Sequence, residues 1–280
     1  MTFNARKLGG EEMQEIEANP RGDDPYVAYG IDVGMYEHGI KGAVNSHTTF
    51  AWARVTHGVE LHRDDNGDCW FEGAEIESGR DIRDLAKLLS HDIRESIGSK
   101  LRVAIGMEAP MWQPTPQRLP EGAFELFPLR FAHESGFWWY LQSGASATVR
   151  ALSIGRLLFS LLDIPRNLTQ FATCPTHSGC IELFEGFVAG EDKWKLPRDI
   201  RRFPNAHCWD ATTTAAAFQM AIKGGEGKSV VLHQAMSHNR PLISHWKTIV
   251  GSTGLYTKYC DTDCMIVGIA SRSLVPTTEN

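Results

Sequence analysis

The run PYVAYGIDVG, residues 25–34, is the stretch on which the fold turns. It is a short apolar segment closed by glycine, expected to form the first strand of a sheet. One carboxylate stands in it, Asp32, where a core strand would favour Val or Ile. An ionised carboxylate is costly to bury alone, so Asp32 is expected at the strand's exposed end or opposite something positive, such as a metal ion.

Working outward, KGAVNSH (41–47) and AWARVTHGVEL (51–61) are expected as second and third strands, antiparallel neighbours of the first. RDDNGD (63–68) is a turn before the short CWFEGAE run (69–75). In ESGRDIRDLAKLLSHDIRESIGS (77–99), Ile82, Leu85, Leu89, Ile93 and Ile97 recur at steps of three and four, which predicts a helix with one apolar face. LRVAIGMEAP (101–110) follows as a buried strand that ends at Glu108 and stops at Pro110. Residues 111–146 hold eight aromatic side chains and four prolines, an inserted segment suited to a cap or substrate wall. ATVRALSIGRLLFSLLD (147–163) is a second helix, and SGCIELFEGFVAG (178–190) a strand carrying Glu182 and Glu185, the latter expected at the surface. NAHCWDATTTAAAFQMAIKGG (205–225) is a helix capped by Asn205, and CMIVGIA (264–270) a weaker strand in a C-terminal extension over about residues 225–280. Strands followed by alternating helices and strands predict an α/β domain with a mixed sheet.

With 42% hydrophobic residues, residues 25–280 are enough for a single packed domain behind a polar leader, residues 1–24, expected to be mobile at its start. No apolar run approaches the roughly 20 residues of a membrane span, and MTFNARKLGGEEMQE lacks the apolar stretch of a signal peptide, so a cytoplasmic protein without membrane partners is expected. The cysteines at 69, 174, 180, 208, 260 and 264 are then ordinary thiols, since their spacing does not make two zinc-finger pairs. The net charge of −6, half of it in the leader, argues against one large uniform phosphate-binding surface and leaves room for local basic patches.

Asp32 and Glu108 close two strands, and Asp210 lies early on the late helix, one turn beyond His207. Ligands gather at the carboxyl ends of strands in α/β sheets, so these acids are expected to converge. Carboxylates from separate elements suit Mg²⁺ or Mn²⁺, which stabilise the attacking and leaving oxygens of phosphoryl transfer, and His207 shares a helical face with Asp210.

GIDVG, VAIGMEAP, CIELFEG and HCWDATTTAAAF, in this order, resemble the predicted ribonuclease H-like nuclease family catalogued as the domain of unknown function number 429, and more distantly RuvC-type resolvases. The resemblance spans about residues 26–223. It implies a ribonuclease H-like fold with Asp32 as first-strand acid, Glu108 as second acid and Asp210 as the acid of the final helix, with His207 at a position where RuvC-like enzymes offer Asp or His. Glu182 matches a strand glutamate of the uncharacterised family and is carried over as a metal ligand. The chain departs from the family at Glu185-Gly186-Phe187, where a proline is usual, and at Gly106-Met107, where an aspartate often precedes the proline.

Lys193, Lys195, Arg198, Arg201 and Arg202 give residues 192–202 a local positive excess just before the Asp210 helix, placed to receive a phosphate backbone or simply to form a solvated loop. Trp112, Trp138 and Trp139 are available to stack bases, although core or cap packing is their commoner use. GGEGKS (224–229) lacks the leading glycine of a phosphate loop, and DDNGDCWFEGAE (64–75) imitates a calcium loop with Cys69 where glycine is needed. The expectation is a metal-dependent nuclease acting on DNA or RNA, as monomer or homodimer. Its rivals are a catalytically silent scaffold and an ATP-binding enzyme of the actin-like and sugar-kinase group, which is disfavoured because Met35 and Tyr36 stand where that group offers Thr or Ser.

Overall fold

The computed structural model describes residues 6–8, 11–13, 25–34, 49–63, 65, 69–115, 117–118, 121–122, 124–125, 143–173, 180–187, 194, 205–222, 230–236, 242–257 and 263–269. The expected first strand is β1 (Tyr26–Val33). It pairs antiparallel with β2 (Phe50–Thr56), which pairs antiparallel with the edge strand β3 (Ile76–Gly79). On its other side β1 runs parallel to β4 (Arg102–Met107), and β4 parallel to β6 (Cys180–Phe187). The far edge of β6 carries the short β5 (Gln170–Ala172) at its start and β9 (Asp263–Ile269) at its end, both parallel. β7 (Val230–Met236) pairs antiparallel with β9, and β8 (Tyr256–Thr257) parallel with β5. Among the described residues the result is a nine-stranded mixed sheet whose continuous path is β7-β9-β6-β4-β1-β2-β3.

The helices divide between the two faces. α1 (Ile82–Ser96) begins where Asp81 accepts the Arg83 N–H at 2.8 Å, and it buries Ile82, Leu85, Leu89 and Ile93 as the periodicity predicts. Each fully buried leucine on that face contributes about 2 kcal/mol. Ile97 falls past the helix end and is partly exposed. α1, α2 (Ser143–Leu161) and α4 (His245–Gly251) pack on the face that receives Val27, Tyr29, Ile31 and Val33 of β1. α3 (Ala206–Ile222) covers the opposite face, that of Tyr26 and Ala28, with Asn205 Oδ1 accepting the Cys208 N–H at 2.9 Å as the expected cap.

The structure bears on several further expectations. The stretch 51–61 is two strands, broken at Gly58 with φ +96°, because Glu60–Arg63 leaves the sheet to form a hairpin with Cys69–Glu72. That hairpin has strands where a calcium loop needs helices. β5, β7 and α4 lie outside the expected elements, and β3 takes residues 77–79 from the stretch 77–99 expected as helix, which begins only at Ile82; β3 is half-buried and polar at Glu77 and Ser78, so it carries little apolar signal. Within the leader, Arg6–Leu8 pairs with Glu11–Met13. The inserted segment contains Trp112–Pro114, paired with Leu242–Ser244, and Trp112 is a core residue. Cys69, Cys180 and Cys208 are buried thiols. The expected strand at 41–47, GGEGKS (224–229), Trp138 and Trp139 lie outside the described residues. Among the described residues no helix is long and apolar enough to cross a membrane.

Candidate metal centre

Side chains alternate along β1, so Ala28, Gly30 and Asp32 point toward α3 while Tyr29 and Ile31 point away. Gly30 lets the helix lie directly on the strand: a Cβ there would stand 1.9 Å from the Ala211 carbonyl oxygen and 2.9 Å from the Ala215 nitrogen. This close approach sets the first turns of α3 over the end of β1. His207 and Asp210, three residues apart on one helical face, thereby meet Asp32.

His207 Nδ1 lies 2.7 Å from Asp32 Oδ2, and Asp32 Oδ1 accepts the Gly34 N–H at 3.1 Å. One donor atom from each of Asp32, His207 and Asp210 falls within 4.8 Å of the other two. Burial pushes the Asp32 carboxyl above its ordinary range and the nearby Asp210 adds to this, while the hydrogen bond and charge of His207 act against it. Two carboxylates and an imidazole in a half-buried place form a donor set with excess negative charge, which a hard divalent cation would neutralise. By its chemistry the cluster fits such an ion.

Glu108 follows β4 immediately. Its N–H donates to the Ile31 carbonyl at 2.9 Å, and the register, Ile31 beside Met107, sets Glu108 next to Asp32 on the α3 side. It is half-buried, and its carboxylate is outside the three-residue group.

Glu182 is not brought to this place. In register it stands beside Ala104 and Ala28, four residues before the level of Asp32, or about 13 Å along the strands. Fully buried there, it accepts the Tyr26 hydroxyl at 2.7 Å and a hydrogen bond from Arg102, whose guanidinium also covers the Tyr26 ring. Burial raises its carboxyl to about 7, against the pull of Arg102 and of the Tyr26 hydrogen bond. Its role is that of a buried ion pair within the sheet. Glu185, expected at the surface, is fully buried, because alternation along β6 sends it into the apolar layer on the α1 side with Leu183.

Lys193, Lys195, Arg198, Arg201 and Arg202 lie outside the described residues. Trp194, between the two lysines, is buried, and its carbonyl accepts the Trp209 indole N–H at 3.0 Å, which fixes that point of the basic connection against the first turns of α3. The sequence reading also passed over Asp92, a buried acid on α1 that accepts the Tyr29 hydroxyl at 2.6 Å and Arg54 Nε at 2.7 Å. Its signal was an acid on the margin of an apolar helical face. Beside the cluster on α3 lies Cys208, whose thiol is pushed up chiefly by burial, with Asp32 adding to this and Ser78 and Arg80 opposing it.

Comparisons with models of protein families, with curated proteins and with solved structures find no match to this chain.

Proposed function

We propose that this protein is a divalent-metal-dependent nuclease of ribonuclease H-like fold, hydrolysing phosphodiester bonds of DNA or RNA. The observation that carries the reading is the convergence of Asp32, His207 and Asp210 within 4.8 Å at the carboxyl end of β1. The strand order β3-β2-β1-β4-β6, with β2 running against the other four and α3 following β6, supports the fold assignment.

Asp32 and Asp210 would hold Mg²⁺ or Mn²⁺, with Glu108 beside them at the end of β4 and His207 as ligand or proton carrier. Bound there, the cation supplies Lewis-acid stabilisation of charge on phosphoryl oxygens and an activated water. The protein's own contribution is positional. α3 holds His207 so that Nδ1 can give or take a proton at Asp32 Oδ2. The Trp209 indole N–H holds Trp194 at the same helix end, and Lys193, Lys195, Arg198, Arg201 and Arg202, its neighbours in sequence, would meet the phosphate backbone.

The test is calorimetric titration of Mn²⁺ into the wild-type protein and the Asp210→Asn variant at neutral pH, followed by cleavage assays on single-stranded and branched DNA and RNA with Mn²⁺ or with chelator. Metal binding lost in the variant, with metal-dependent cleavage by the wild type, is the expected result. Absence of Mn²⁺ binding by the wild type would overturn the reading in favour of a silent scaffold.

A further inference from the structure

Glu185 is a buried acid that the candidate centre does not use. Its Oε2 accepts the backbone N–H of Met111 at 2.8 Å. Met111 lies three residues beyond Glu108, where the chain leaving β4 turns from the α3 side into the core on the other side, with Ala109, Met111 and Trp112 all buried. A main-chain N–H in that apolar layer needs an acceptor, and the adjacent strand supplies one from Glu185.

The same segment is held at other points. The Pro110 carbonyl accepts the Thr148 hydroxyl of α2 at 3.2 Å, and the Met111 carbonyl accepts the His245 N–H at the start of α4 at 2.8 Å. Before the turn, the Glu108 N–H is bonded to the Ile31 carbonyl. Glu108 thus sits between two fixed points, one on β1 and one at Met111. An apolar residue at 185 would fill the layer equally well; a carboxylate there is costly and is justified by a specific hydrogen bond.

We infer that Glu185 is a positioning residue: by pinning Met111 it fixes the turn that aims Glu108 at the Asp32–His207–Asp210 cluster, and it thereby sets the affinity of that cluster for a divalent cation. The inference rests on the metal-binding reading of the centre. Outer-shell partners of this kind alter metal affinity by about 10–100-fold when removed.

The experiment is calorimetric Mn²⁺ titration of the full chain as wild type, Glu185→Met, Glu185→Gln, Glu108→Gln and the Glu108→Gln/Glu185→Met double variant, with folding checked by circular dichroism. Methionine keeps the volume and removes the acceptor; glutamine keeps an acceptor oxygen. The expected result is binding at least tenfold weaker in Glu185→Met, affinity recovered toward wild type in Glu185→Gln, and no further loss when Glu185→Met is added to Glu108→Gln. Wild-type affinity in Glu185→Met overturns the inference and leaves the metal centre standing, as does an equal loss in the Glu108→Gln background. Failure of the wild type to bind Mn²⁺ overturns both. If Glu185→Met does not fold, Thr148→Val frees Pro110 in the same turn: weaker, Glu108-dependent binding supports the pinned turn, and unchanged binding overturns it.

Discussion

His207 Nδ1 and Asp32 Oδ2 stand 2.7 Å apart although 175 residues of chain separate them. The contact joins the first strand of the sheet to the helix that follows β6, so the centre forms only when the whole α/β unit is assembled. It also shows where charge is concentrated: Asp210 lies close enough to Asp32 to push its carboxyl upward.

That repulsion predicts opposite effects of Asp210→Asn on metal binding and on stability. Without metal, removing one of two neighbouring carboxylates is expected to raise stability by about 1 kcal/mol, because an unfavourable charge pair disappears. With Mn²⁺ at about 100 times its dissociation constant, the wild type is expected to gain about 2.7 kcal/mol and the variant little. Thermal melts of both proteins with Mn²⁺ and with chelator check this; a variant less stable than wild type in chelator would contradict it.

Glu182 predicts a pH dependence of stability. Its carboxyl is raised in the folded protein to about 7 from an ordinary value of 4.5. Between these values the folded state holds the proton more tightly than the unfolded chain. Stability from this group is therefore complete below about pH 4.5 and is lost as pH rises through about 7, by roughly 3 kcal/mol in all. Asp32 is shifted in the same direction, so the measurement is the difference between wild type and Glu182→Gln in urea unfolding from pH 4.5 to 8. A smaller pH slope in the variant is expected; identical slopes would remove Glu182 from the account.

Gly30→Ala is expected to destabilise the protein by about 3 kcal/mol, since its Cβ would meet the Ala211 carbonyl at 1.9 Å and force α3 away from β1. Mn²⁺ affinity should fall with it, because His207 and Asp210 ride on that helix. Gly251→Ala, which meets nothing within 4 Å, serves as the control and should change stability by less than about 0.5 kcal/mol. Chemical denaturation of the two variants decides the matter.

Asp92→Ala is expected to cost about 3–5 kcal/mol, because it removes the buried partner of Arg54, whose side chain is only 14% exposed and keeps just the more exposed Glu77, and it strips the acceptor from the buried Tyr29 hydroxyl. Mn²⁺ affinity should be little affected, because Asp92 lies on the α1 side of the sheet and the Asp32–His207–Asp210 cluster on the α3 side. Urea unfolding gives the first quantity and calorimetry the second.

Asp32 on a first strand, Asp210 and His207 on one helical face, the Asn205 cap and the apolar stripe of α1 were all legible in the sequence, because each depends on periodicity or spacing within a few residues. The position of Glu182 away from the cluster and the burial of Glu185, expected at the surface, were not legible because two quantities were missing. One is the register of β6 against β4, which sets the level of a residue along the sheet; the other is which layer covers each face of β6, which sets its burial. Parallel strands are joined through long crossovers, so their offset is fixed by hydrogen bonding and packing between distant segments and leaves no local mark. The polar edge strand β3 was missed for a related reason: half-buried, it is held by pairing with β2 more than by an apolar face of its own. The sequence by itself determined which side chains are candidates for chemistry. Only the tertiary structure decided which of them meet, since convergence at one sheet end is set by strand register and by how closely α3 approaches Gly30.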